Sequence, residues 1–141
     1  MEYDAYGRVE ETIQTYGVLD LPEDRVNVVM TNCGYVNPAG GFTSTMVHTM
    51  TNTVLNSTNY QTTYIYTYDA NRNILSISDE TNTTSYVYEG LGQLIRENSQ
   101  TAGKNWMHMY VASGNITQKC EYAYTTDSLI NAVALDTSAY G

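Results

Sequence analysis

The stretch Tyr66-Thr67-Tyr68-Asp69-Ala70-Asn71-Arg72-Asn73-Ile74 decides the fold. Tyr66 and Tyr68 are two residues apart, so on a strand they share a face, and Tyr64 extends the row. Asp69 closes the strand, because a short carboxylate accepts hydrogen bonds from backbone N–H groups in a turn. Asn73-Ile74-Leu75-Ser76-Ile77 starts the returning strand. Asp79-Glu80-Thr81-Asn82 supplies a second turn, and Thr84 to Tyr88 a third strand. The unit is strand, four-residue turn, strand, loop, which predicts an all-β fold built as an antiparallel meander of hairpins.

Three further segments fit the same template. They are Tyr3-Asp4-Ala5-Tyr6-Gly7-Arg8-Val9, Tyr86-Val87-Tyr88-Glu89-Gly90-Leu91-Gly92-Gln93-Leu94 and His108-Met109-Tyr110-Val111-Ala112-Ser113-Gly114-Asn115-Ile116. The shared pattern is aromatic-x-Tyr-acid-x-x-Gly-polar-aliphatic. The glycine supplies a positive φ that other residues adopt only at a cost. Tyr68, Tyr88 and Tyr110 are 20 and 22 residues apart. Tyr3 and Tyr68 are 65 apart, about three such periods, so eroded units are expected between them. Self-similarity at a near-constant period marks a repeat architecture. Clear units lie near 3–15, 66–79, 86–98 and 108–119, with degenerate ones over 16–59 and 120–141. Erosion is visible within the clear units too. Arg72 replaces the turn glycine, Glu89 and Val111 replace the acid Asp, Met1 stands for the first Tyr, and His108 is an aromatic substitute. Tyr122-Ala123-Tyr124 keeps a tyrosine pair and loses the rest.

Composition agrees. Among 141 residues there are 14 Tyr against one Phe and one Trp, and Tyr suits a pleated, half-buried surface. Fifteen acidic residues against six basic give a net charge of −9, and the basic residues are scattered. That disfavours nucleic acid and anionic membrane surfaces as partners. No run of apolar residues is long enough for a membrane span. Cys33 and Cys120 sit in no metal-ligating spacing and read as apolar fillers, with a disulfide left open. Met1-Glu2-Tyr3-Asp4 lacks the order of a signal peptide and begins inside a repeat unit. The chain is therefore read as a fragment whose export signal lies upstream.

The motif resembles the YD repeat of the bacterial Rhs family. The segment "YVYEGLGQLIREN" at residues 86–98 is similar to a well-formed version of that repeat, and "YVASGNITQKCEYAYTT" at 110–126 to a Firmicutes-like one. The resemblance is clear over roughly residues 60–126 and 3–15. It implies a segment of a spiral β-sheet shell in a secreted or cell-surface protein. Such a shell encapsulates or presents a toxin or contact domain, and its partners are the remainder of the parent protein and its C-terminal toxin. The family's cap carries a self-cleaving Asp-Pro motif. Pro22 and Pro38 are the only prolines and neither follows Asp, so cap and toxin are absent from this chain.

The constellations that suggest chemistry have plainer explanations. Asp69, Asn71, Asn73 and Glu80 match positions of a calcium loop, but Ile74 stands where the loop needs Gly, and a hairpin turn accounts for them. Asp69 and Glu89, a candidate carboxylate pair, hold equivalent repeat positions. Cys33 and His48 lack an orienting third residue. Asn56-Ser57-Thr58, Asn82-Thr83-Thr84 and Asn115-Ile116-Thr117 are sequons expected by chance in an Asn- and Thr-rich chain. No catalytic residue, metal or cofactor is expected, and the chain is read as a structural protein. The structural roles fall on Tyr3, Asp4, Gly7, Tyr66, Tyr68, Asp69, Asn73, Tyr86, Tyr88, Glu89, Gly92, Tyr110, Gly114 and Asn115. The alternative is a carbohydrate-binding adhesin module stacking cell-surface glycans on Tyr66 and Tyr88.

Elsewhere the sequence predicts loops over 16–42 around one strand at 25–31, a strand within 42–55, and two or three strands over 104–126. Residues 128–135 read as a strand or a short helix. Unpaired terminal strands would expose Tyr- and Thr-rich edges, so the isolated piece is expected to be marginally stable and to self-associate. Sedimentation at micromolar concentration tests this, and a sharply monomeric species would count against it.

Overall fold

A computed structural model describes residues 1–16, 27–36, 44–55 and 60–140. Among these residues the protein is all-β, with eleven strands and no helix. The strands are β1 (Glu2–Tyr3), β2 (Val9–Tyr16), β3 (Asn27–Tyr35), β4 (Val47–Leu55), β5 (Tyr60–Tyr68) and β6 (Ile74–Ser78). They continue as β7 (Thr83–Tyr88), β8 (Leu94–Ser99), β9 (Lys104–Tyr110), β10 (Ile116–Ala123) and β11 (Asp136–Ala139). The chain divides into two compact units, Met1–Tyr66 and Thr67–Gly141. Within each unit strand order follows chain order, and the strands pair antiparallel, as a meander requires. The strand expected at 25–31 runs from Asn27 to Tyr35, and its first two residues lie outside the described ones, as do Pro22, Pro38 and Gly40-Gly41.

The hairpin turns are nearly superposable in their bonding. Asp4, Asp69, Glu89 and Val111 each accept a backbone bond from the residue three later and donate one to the carbonyl four later. For Asp69 these are Arg72 N–H to Asp69 O at 3.1 Å and Asp69 N–H to Asn73 O at 3.0 Å. A four-residue turn followed by a left-handed residue is the three-residue hairpin loop with a glycine bulge. The left-handed position is Gly7 at φ 77°, Gly92 at 80° and Gly114 at 89°. In the second unit it is Arg72, at φ 70°. Arg72 keeps the turn geometry and carries the strain of a Cβ in that region. Arg72→Gly is expected to stabilise the protein by about 1 kcal/mol, since the left-handed penalty of roughly 1–2 kcal/mol is partly offset by glycine's entropy. Gly92→Ala should act in the opposite direction, through φ alone, because no atom lies within 4 Å of the added Cβ. Urea midpoints of the two variants check both signs.

Most strand residues in both units are half-buried. Among the described residues the buried apolar side chains are Cys120, Tyr122 and Leu129, with Met107 and Ala134 packed on them. Cys120 and Tyr122 are two apart on β10, so they share a face. Met107 and Asn105 lie opposite them on β9, and Arg96 and Asn98 opposite those on β8. Residues 124–135 cross this face as a strap. The strap places Leu129 on the core and aims the Thr125 carbonyl at Asn105 Nδ2 (2.7 Å) and Arg96 Nη2 (2.8 Å). Asn105 is fully buried in consequence. Residues 128–135 are therefore neither strand nor helix. They form a turn and an extended crossing, with Ala132 N–H bonded to Leu129 O, and the strand comes after them as β11. Leu129 and Ala134, five residues apart, meet the core at neither the helical nor the strand period, so no period was there to read.

Candidate functional site

The repeated motif is a set of groups acting on the chain's own backbone. Tyr88 Oη donates to the Ile74 carbonyl at 3.0 Å, and Tyr110 Oη to the Leu94 carbonyl at 2.8 Å. In each case the motif tyrosine of one unit bonds the motif aliphatic residue of the unit before it. Tyr35 Oη makes the same bond to the Val9 carbonyl, at 2.7 Å. Two other features mark Tyr35 as a motif tyrosine. Val36 N–H donates to Met46 O at 2.9 Å, the bond that closes the other hairpins. A bulge also follows the aliphatic residue. Gly34 faces Thr49 and Tyr35 faces Val47, leaving His48 extra. Three other hairpins bulge at Glu10, Ile95 and Thr117, directly after Val9, Leu94 and Ile116 respectively.

Among the described residues the eroded region thus holds one unit, closed by the bond between Val36 and Met46. The motif tyrosines Tyr3, Tyr35 and Tyr68 step by 32 and 33 residues, and the strands β2 to β5 are eight or nine residues long. Of the eroded units expected between Tyr3 and Tyr68, the described residues hold one, at Tyr35, and the rest of that expectation falls partly on residues 17–26, 37–43 and 56–59, outside the described ones. The signal available in the sequence was Cys33-Gly34-Tyr35-Val36 before Met46-Val47, hidden by the nine residues that separate Val36 from Met46 where the other units have three. Tyr122 differs from the motif tyrosines. It lies on the strap-covered face of β10, whereas Trp106, His108 and Tyr110 alternate onto the opposite face of β9.

The turn acids work as caps. Asp69 Oδ1 accepts the N–H groups of Asn71 and Asn73, both at 2.8 Å, and its Oδ2 accepts Asn73 Nδ2 at 2.9 Å. Asp4 repeats this with Tyr6 N (2.9 Å), Arg8 N (3.0 Å) and Arg8 Nε (2.6 Å). Arg8 then stacks over Tyr35, 4.2 Å from the ring centroid, and donates to Ser44 O at 2.6 Å. The second-turn acid Asp79 accepts from Thr81 N and Asn82 N. The Asn73 side-chain bond and then the turn N–H groups hold Asp69 below the usual carboxylate range. Turn N–H groups do the same for Asp79. Partial burial would raise Asp4, but the bonds from Arg8 and Tyr6 outweigh it, so Asp4 is lowered too.

His108 is lowered from 6.5, first by burial and then by Lys119, with Glu97 opposing. Its Nε2 is buried without a hydrogen-bond partner. For all of these groups the folded pKa lies below the unfolded one, so their contribution to stability is present at high pH and lost on acidification. Two acid steps are expected in a plot of urea midpoint against pH. The first begins as pH falls below about 6.5 from His108, and the second below about 4 from the turn acids. His108→Tyr, which restores the motif aromatic, should remove the first step and leave the second.

Asp69 and Glu80 stand in the turns at opposite ends of β6. Asp69 is engaged by the turn, Ile74 opens β6, and among the described residues no three His, Cys, Asp or Glu side chains are grouped as metal ligands. Glu89 occupies in its turn the position that Asp69 occupies in its own. Cys33 lies in a cross-strand row with Met50 and Tyr64, and His48 is the bulged residue, its Nδ1 3.2 Å from the Tyr66 carbonyl. Asn82 and Asn115 sit at turn ends, and Asn56-Ser57-Thr58 lies outside the described residues. Tyr66 and Tyr88 are half-buried, and burial raises both phenols.

A second cluster escaped the sequence reading. Tyr86, Glu97, Trp106, Glu121 and Asp136 form one cross-strand row over β7 to β11. Glu121 accepts from Trp106 Nε1 at 3.2 Å and pairs with Lys104 Nζ at 2.6 Å. Lys119 Nζ stands 5.3 Å from the Trp106 ring centroid. An open cleft of about 230 Å³ is lined by Trp106, Lys119, Glu121, Asp136 and Ser138. Its assembly depends on the β10–β11 register, which the strap sets and the sequence does not advertise.

No protein-family model and no curated protein matches this chain.

Proposed function

We propose that this chain is wall material of a secreted or cell-surface Rhs-type YD-repeat shell, a non-catalytic segment that helps to encapsulate or present a toxin or contact domain. One observation carries the reading. The same turn recurs after Tyr3, Tyr68, Tyr88 and Tyr110, Asp4 and Asp69 cap it with their carboxylates, and Tyr35, Tyr88 and Tyr110 tie one hairpin to the previous one. Motif groups used this way serve stacking of units, which is what a repeat wall needs. In this reading the partners are the rest of the parent protein and its toxin. The half-burial of Tyr66 and Tyr88 also favours it over an adhesin that stacks glycans on those two rings.

Sequencing the coding region on both sides tests the proposal. Further Tyr-x-Tyr-acid units are expected upstream and downstream, followed by a cap with an Asp-Pro cleavage motif and a toxin-sized domain. Flanking sequence without such units would contradict it. Glycan-array binding abolished by Tyr66→Ala and Tyr88→Ala, without unfolding, would favour the adhesin instead.

A further inference from the structure

We infer that residues 125–134 form a displaceable lid over a peptide-binding cradle on β8, β9 and β10, and that the cradle accepts in the lid's place an extended peptide segment of another chain. The inference is independent of the shell reading and uses none of the motif residues.

The cradle holds a bond that the lid leaves unmade. Asn105 is fully buried under the strap, and its Nδ2 donates to the Thr125 carbonyl. Its Oδ1 is buried too and has no hydrogen-bond partner among the described residues. A buried acceptor left unsatisfied works against closure. A carboxamide matches both groups of an extended backbone, with a donor for its C=O and an acceptor for its N–H. The strap supplies only the C=O. Arg96 Nη2 donates to that same carbonyl from β8, so the clamp reads backbone and no particular side chain. Selectivity comes from the apolar socket of Met107, Cys120 and Tyr122, which Leu129 fills four residues after the clamped carbonyl. The matching occupant is a peptide with a leucine at that same spacing. One that also turns an N–H toward Asn105 Oδ1 makes a bond that the strap lacks.

The lid is fastened at its ends and lightly in between. Tyr124 N–H donates to Gly103 O at 3.0 Å, and Leu135 N–H to Glu121 O at 2.7 Å. Three bonds stay inside the strap: Asp127 N–H to Thr125 Oγ1 (3.0 Å), Ile130 N–H to Ser128 Oγ (3.4 Å) and Ala132 N–H to Leu129 O (3.0 Å). Among the described bonds only those to Thr125 O tie this stretch to the sheet. Ile130 and Val133 face solvent, while Leu129 and Ala134 pack inward. Lifting therefore breaks two hydrogen bonds and uncovers one leucine, with the pairing of β8 to β11 intact. A segment held so lightly opens below the free energy of global unfolding.

Cys120 reports on the opening, because it is buried and Leu129 packs on it. In the full chain carrying Cys33→Ala it is the single thiol. It is treated with an aromatic disulfide reagent: the Cys120 thiolate attacks one sulfur, a mixed disulfide forms and one aromatic thiolate leaves. Below the unfolding midpoint the rate is expected to be nearly independent of urea, as for an opening that exposes little surface. Leu129→Ala should speed the reaction by about thirtyfold or more, the equivalent of the packing a buried leucine supplies. Leu129→Val makes the same comparison at smaller amplitude should the alanine variant not fold. A synthetic peptide with the sequence of residues 124–135, added to the Leu129→Ala chain, should slow the reaction again and saturably. The same peptide with alanine in place of its leucine should not. A rate that rises with urea along the full unfolding slope would overturn the lid, and a leucine peptide without effect would overturn the cradle. Slowing that grows with protein concentration in the absence of peptide would assign the cradle to the strap of a second copy and overturn closure within one chain.

Discussion

Replacing Leu129 by alanine is expected to lower the stability of the second unit by about 2–4 kcal/mol, the range for truncating a buried leucine where the site collapses only in part. Leu129 is 7% exposed and is the only strap side chain among the buried apolar residues described. Losing it removes packing on Cys120 and Tyr122 and frees the strap to lift. Lifting would break the two bonds that Thr125 O accepts and hydrate Asn105 and the Arg96 guanidinium. The effect should therefore exceed that of a surface leucine. Ile130, the next residue, is 86% exposed, and Ile130→Ala should stay within about 0.5 kcal/mol of the parent. Urea unfolding followed by Trp106 emission reads the second unit directly. Equal effects from the two substitutions would show that the strap is not docked.

Tyr88→Ala is the second large effect expected, a loss of about 2 kcal/mol, of which Tyr88→Phe should account for roughly 1 kcal/mol. The phenylalanine leaves the ring in place and removes only the hydroxyl that satisfies Ile74 O, and a hydrogen bond of this kind is worth about 0.5–1.5 kcal/mol. Tyr110→Phe and Tyr35→Phe should match it, because they break the equivalent bonds to Leu94 O and Val9 O. Tyr60, which is 66% exposed, is the control, and Tyr60→Phe should be neutral within about 0.5 kcal/mol. Denaturant midpoints at one pH suffice for the comparison. A Tyr35→Phe midpoint unchanged from the parent would separate Tyr35 from the repeat tyrosines.

Much of this fold was legible because the motif carries local chemistry. Tyr66-x-Tyr68 fixed a strand face, Asp69 fixed a turn through its own carboxylate, and Gly92 and Gly114 fixed the left-handed position. Those interactions span five residues or fewer, so the sequence displays them whole. Arg72 was read as a departure from the motif, and it takes the glycine's φ without disturbing the turn, because the remaining bonds over-determine it. What stayed hidden depends on partners distant in the chain. The Tyr35 unit is recognised by a bond to Val9, 26 residues earlier, and by a hairpin closed between Val36 and Met46. The difference between Leu129 inward and Ile130 outward rests on the strap's path over β9 and β10. The cleft at Trp106 requires Asp136 and Ser138 to fall beside Glu121 and Lys119, a register that follows only once the strap is placed.

One tyrosine unit recurs along the described strands, and Tyr35 belongs to it where the motif is eroded. The most direct measurement is a nuclear Overhauser experiment on the tyrosine rings in solution. It should connect the Tyr35 ring to Val9, the Tyr88 ring to Ile74 and the Tyr110 ring to Leu94, with the three hydroxyl protons protected from exchange. A Tyr35 ring that shows no contact with Val9, while Tyr88 and Tyr110 keep theirs, would contradict it.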